Sequence, residues 1–172
     1  MEQIRWFDRK FEFSGDESTF PGLLERLEGT PIRVANKLRA VSESLLTSKV
    51  NEKWSIKEHV GHLIDLEPLW QGRLDDILNE EKYLRPTDLE NKATDLAGHN
   101  DFDLQDLLDG FFSSRSKTMN SLRTLSSEDL IRSGLHPRLE TPMRVIDLFL
   151  FVAEHDDHHL ASIHTLINEQ NE

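Results

Sequence analysis

The sequence predicts an all-α fold, a four-helix bundle with long crossover loops. Three observations predict it. Apolar residues recur at helical intervals over four separate stretches. A capping box, Ser55 followed by Glu58, opens the second of them. Two links separate the later stretches: 81–102, polar with Pro86, Gly98 and several Asp and Asn, and 126–142, with Gly134, Pro137 and Pro142. With 172 residues the chain is long enough for one domain with a sizeable core, so residues 1–172 are read as a single domain.

Each element follows from local chemistry. Residues 1–20 are a lead-in carrying Trp6, Phe7, Phe11, Phe13 and Phe20, too aromatic for a loose tail and expected to lie on the bundle. Pro21 suits a first helical turn. Leu23, Leu24, Leu27, Ile32, Val34, Leu38, Val41 and Leu45 then predict a helix over 21–47, with Gly29 and Pro31 as points of bending. The second helix spans 56–80, with Ile56, Val60, Leu63, Trp70, Leu74 and Ile77 inward and Pro68 as a kink. The third spans 103–125, with Leu104, Leu107, Leu108, Phe111, Phe112, Met119 and Leu122 inward. The fourth spans 143–168, on a stripe of Val145, Leu148, Phe149, Val152, Ile163 and Leu166. The link 81–102 suits a crossover between distant bundle ends, or a lid.

Composition removes several functions. Acidic residues outnumber basic ones 32 to 20, a net charge of -12, and no concentrated basic patch is present, so no nucleic-acid partner is expected. The absence of cysteine excludes disulfides, thiolate ligands and a cysteine nucleophile. No long apolar run and no signal-peptide pattern are present, which gives no membrane span and, by default, a cytoplasmic location. Neither a Gly-rich phosphate loop nor a Gly-x-Ser-x-Gly elbow occurs.

Chemistry concentrates in HDDHH, residues 155–159. His155 and His159 are one turn apart on one helix face and continue its apolar stripe, so both imidazoles point inward. Such a pair offers two nitrogens to a divalent ion, and its spacing equally suits a buried hydrogen-bonded pair. His158 turns to the flank, a surface or packing position. Asp156 and Asp157 read as solvated, with Asp156 the better placed to hold an imidazole N–H. A third ligand would come from helix two, which offers His59 and His62; the helical wheel favours His59 by a small margin. His99 and His136 read as loop-surface residues, and His164 and Tyr83 are given no role. Glu58 and Asp65 are nearby carboxylates on the polar side of helix two, poor candidates for a base.

Two segments, WSIKEHVGHLIDLEPLW and VAEHDDHHLASIHTL, resemble the DinB-like superfamily, which includes YfiT-type metal-dependent hydrolases and thiol-dependent S-transferases. The resemblance rests on Trp54-Ser55, on His62 eight residues after Trp54, and on His155 with His159, and it runs in order from about residue 20 onward. It implies a metal site of His62, His155 and His159, so it selects His62 over the wheel's His59. It implies a divalent ion, zinc, nickel or iron, with positions left open. The implied activity is a hydrolase working through metal-bound water or a transferase of a low-molecular-weight thiol; a non-catalytic metal-binding or stress-associated bundle is the alternative. It also implies a homodimer and a small-molecule substrate.

Overall fold

A computed structural model describes residues 3–51 and 53–169. Four long helices build the molecule: α1 (Phe20–Leu38), α3 (Ile56–Leu78), α5 (Leu104–Leu122) and α7 (Val145–Glu169). Between them lie three short ones, α2 (Glu43–Leu46), α4 (Lys92–Leu96) and α6 (Ser127–Ile131). Strands β1 (Ser133–Leu135) and β2 (Pro142–Arg144) form an antiparallel hairpin pairing Gly134 with Met143. The expected loop 126–142 is therefore mostly α6 and this hairpin.

The first helix stops at Leu38, well before the predicted 47, and Val41 and Leu45 pack from the turn around α2 instead. Pro31 lies inside α1 without ending it. At the start of α3 the capping box forms as read: the Glu58 N–H donates to Ser55 Oγ, and the Ser55 N–H donates to the Glu58 carboxylate at 2.8 Å. Two residues expected inward, Ile32 and Phe112, face solvent because each lies just past the edge of its helix's buried stripe.

Helices α5 and α7 each pack against both α1 and α3. The order around the bundle is thus α1–α5–α3–α7, and the links 39–55 and 123–144 cross diagonals. The 81–102 link joins packed neighbours, so it is no crossover; part of it instead folds over the end of a cavity.

Two apolar clusters fill the interior. One gathers Leu27, Trp70, Leu74, Met119, Leu122, Phe149 and Val152; the other gathers Val34, Val60, Leu63, Phe111, Leu160 and Ile163. Every long helix places buried polar residues between these clusters: Thr30 on α1, Glu67 on α3, Arg115 on α5, and His155, Asp156 and His159 on α7. The bundle therefore carries a polar layer across its middle. Burial of polar groups is unfavourable unless partners are found, and the two halves of this layer solve the problem differently.

Candidate metal centre

One half is an ion network. Arg115 donates through Nε to Glu67 at 2.7 Å and through Nη1 to Asp156 at 2.7 Å and the Leu27 carbonyl at 2.9 Å. Thr118 donates to the second Glu67 oxygen. These contacts tie all four long helices. Burial alone would lower the Arg115 pKa, but Asp156 and Glu67 outweigh it and hold it above its ordinary value. Burial pushes the Glu67 carboxyl up, against the pull of Arg115. Asp156 is thus fully buried in a charge network, not solvated, because its partner reaches it from α5. Asp157, half-buried on α7, is also paired, with Arg26 and Arg33 of α1.

The other half is a set of imidazoles. His62, His155 and His159 are all buried, and one nitrogen of each lies within 4.8 Å of the others. Nε2 of His155 is 3.1 Å from Nε2 of His159 and 3.4 Å from Nε2 of His62. His59 lies outside this trio and is less buried, with Nδ1 2.8 Å from Nδ1 of His159.

A chain of hydrogen bonds fixes the His62 tautomer. The Thr94 hydroxyl donates its only proton to Asp65 Oδ2 at 2.8 Å. Its oxygen must therefore accept from His62 Nδ1, 3.0 Å away, which leaves His62 Nε2 a bare lone pair facing His155. Asp65 also accepts from His99 Nε2 at 2.9 Å. His99 is buried rather than on the loop surface: it packs so closely on α3 that a Cβ on Gly61 would lie 2.2 Å from its ring. Asp65 therefore serves the site from behind His62, and Glu58 is held by the cap and by Lys49 at 2.6 Å; neither lines the cavity.

His59, His62, His155 and His159 are held neutral. Burial, with help from His99, lowers the His62 pKa to about 4, and burial with His62 and His158 does the same to His59. Burial holds His155 and His159 well below 6.5. Neutral imidazole is the ligating form. Tetrahedral coordination with Zn–N bonds of about 2.0–2.1 Å places donor nitrogens roughly 3.3 Å apart. The observed 3.1 and 3.4 Å fit that spacing. Close-facing nitrogens that share so few protons are poorly satisfied by one another, and a cation between them removes the conflict. The other ring nitrogen of His155, Nδ1, is buried with no hydrogen-bond partner, as is His99 Nδ1.

The trio opens on a cavity of about 470 Å³, within the range of small-molecule sites. Aromatic rings wall it. Trp6 meets His155 edge-on at 4.9 Å, Trp54 lies 4.6 Å from His62, and Trp70 lies 5.8 Å from His155. Trp6 also packs on Phe11 and Phe151, so the lead-in forms part of the wall. His158 sits on the flank, its Nδ1 2.8 Å from Gln3 Nε2, but also packs on Trp6 and lines the cavity. His136, expected on a loop surface, is buried beside the cavity, because the hairpin folds back against α3. His164 is exposed on α7.

Four long helices whose polar layer ends in a cavity with three facing imidazoles define a helical-bundle protein with a candidate metal site. The chain is a member of the DinB superfamily, whose family model matches residues 24–163. Among solved structures it is similar to YfiT from Bacillus subtilis, described as a probable metal-dependent hydrolase with an unusual four-helix bundle topology. The TM-score is 0.82 at 23% identity, over 95% of this chain and 94% of that one. At that identity the likeness shows the fold. No curated protein sequence matches the chain. Among the described residues no helix is long and apolar enough to cross a membrane.

Proposed function

We propose that this protein is a metal-dependent hydrolase acting on a small molecule, with His62, His155 and His159 as ligands of a divalent ion. One observation carries the reading: three buried neutral imidazoles converge, at coordination spacing, on an open aromatic cavity. Such an ion, when bound, acidifies water and polarises a carbonyl or phosphoryl oxygen of the substrate. The similarity to YfiT supports hydrolysis. His62 is oriented by Thr94 and Asp65. His159 is oriented by His59: if its Nε2 faces the trio, its Nδ1–H donates to His59 Nδ1. Trp6, Trp54 and Trp70 exclude water from around the trio and give an apolar substrate a surface to lie on.

Transfer of a low-molecular-weight thiol is the second reading. It is favoured by an open cavity in a chain without cysteine, which would draw its sulfur from outside. The test loads purified protein with zinc, nickel or iron, counts metal per chain, and assays ester and amide substrates with and without added thiol. Stoichiometric metal with hydrolysis lost in His155→Ala is expected. Less than a tenth of an ion per chain after exposure to all three metals would overturn the reading.

A further inference from the structure

We propose that the cavity holds an anion subsite, built by Arg73 and Arg138, which selects small apolar molecules bearing a carboxylate or phosphate group. The inference deepens the hydrolase reading by naming its substrate class, and rests on that reading only in taking the bound acid to be the reactant.

Arg73 is 1% exposed, yet no carboxylate among the described residues lies within ion-pair distance of it. Asp76, three residues on, is engaged at both carboxylate oxygens by the Arg85 guanidinium. Arg73 Nε donates to the Arg85 carbonyl at 3.0 Å, and its guanidinium lies over Trp70 at 5.6 Å. Its Nη1 faces His136 Nε2 at 3.2 Å. That contact competes with another. His136 Nδ1 already receives the backbone N–H groups of Arg138 and Leu139, both at 3.2 Å. A neutral imidazole has one bare nitrogen, so it cannot accept at both ends. At least one of these three donors is left without an acceptor, and a protonated ring would accept at neither nitrogen. This end of the cavity is short of acceptors, and a ligand oxygen would supply them.

Charge points the same way. The protein carries a net charge of -12, but the charged residues lining the cavity are Arg73, Arg138 and Asp88. Asp88 is engaged by the N–H groups of Glu90 and Lys92 at 3.0 and 2.7 Å. The cavity is thus a positive region in an acidic protein. Trp70 lies between its two ends, touching His155 on one side and the Arg73 guanidinium on the other. A ligand with its acid group at Arg73 and its body along Trp70 would present its far end to the trio.

All three tryptophans of the chain line the cavity, so their fluorescence reads binding without any assay of activity. Zinc-stripped and zinc-loaded protein would be titrated with phenyl phosphate, 4-phenylbutyrate and the neutral 4-phenylbutanamide. The acids are expected to bind at least about tenfold tighter than the amide in both forms, and Arg73→Gln and Arg138→Gln each to weaken them by about tenfold or more. Arg138 is exposed, so Arg138→Gln keeps the test valid should the Arg73 variant fail to fold. Equal binding of acid and amide would overturn the subsite. So would acid binding that both variants leave unchanged, or a preference appearing only with zinc, which would place the acid on the ion. Arg-dependent acid binding in a protein that takes up no metal would sink the hydrolase reading and leave the subsite standing. Metal-dependent hydrolysis with no acid preference would do the reverse.

Discussion

His155 and Asp156 are neighbours in the chain, both buried in the same polar layer, and they end in opposite circumstances. Asp156 meets a guanidinium that satisfies both of its oxygens. His155 meets two other imidazoles, and nitrogens that face one another with so few protons to share leave lone pairs unused. The Arg115 network joins four helices and is closed to the cavity; the histidine trio joins two and opens onto it. A closed network fixes how the helices pack. An open one keeps lone pairs available, and what it lacks in partners is what a ligand can provide. Buried polar groups left unsatisfied beside a cavity are thus a better guide to function here than buried polar groups as such.

The comparison breaks most completely at His155. His155→Ala should abolish stoichiometric metal binding, measured by elemental analysis after dialysis, because two imidazoles remain where three are needed. The melting temperature of the metal-free protein should move little by comparison, since the variant removes an unsatisfied group. A metal content unchanged in His155→Ala would show that the trio is only packing.

Breaking the closed network should do the opposite. Arg115→Met leaves Glu67 and Asp156 facing each other without a cation and should cost about 3–5 kcal/mol in chemical denaturation. Replacing all three together, Arg115→Met with Glu67→Leu and Asp156→Leu, should recover most of that loss, because well-packed apolar groups need no partners. Metal stoichiometry in the folded fraction should be unchanged. If the single variant proves neutral, the network does not hold the helices.

Acid should weaken the histidine side of the layer. His62 titrates near 4 in the folded protein and near 6.5 when unfolded, and burial is the main cause. Between those values the unfolded chain binds more protons, so stability falls as pH falls from 6.5 toward 4 and is fully present above 6.5. For His62 alone the loss at the acid end is about 3 kcal/mol. His136, lowered to about 4 by burial, Arg73 and Arg138, should add in the same direction. Denaturation of metal-free protein at pH 7 and pH 4.5 measures it; a flat profile would mean these rings are solvated.

Much of this layer was visible in the sequence, and the missed part has a physical reason. The Ser55–Glu58 cap and the i, i+4 pair His155 and His159 are local patterns, and local patterns survive folding. Arg115, Glu67 and Asp156 look like surface charges when each helix is read alone. Yet each falls in register with an apolar stripe: Leu63–Glu67–Trp70, Phe111–Arg115–Met119 and Val152–Asp156–Leu160. Charges of both signs on the inward stripes of three helices were the available signal for a buried network. Choosing between His59 and His62 was harder, because both reach the trio's neighbourhood and differ only in depth. His99, His136 and Thr94 belong to links whose path no helical period encodes, so their burial depends on contacts distant in the chain.

Thr94 offers the finest test of the contrast, because it sits where an open group is tied to a closed one. Its hydroxyl passes one proton to Asp65 and accepts one from His62. Thr94→Val keeps the shape and removes the link. His62 can then place its proton on either nitrogen, and in one tautomer its Nε2 no longer offers a lone pair. Metal affinity should fall by roughly 10–100-fold, the usual size of losing a group that orients a ligating histidine, with stoichiometry preserved at saturating metal. Asp65→Asn should weaken binding through the same chain, since the amide can accept from Thr94 but no longer carries the charge that draws both protons. Competition with a chromogenic chelator measures both. An affinity unchanged in Thr94→Val would mean that packing against Trp54 alone sets the His62 ring.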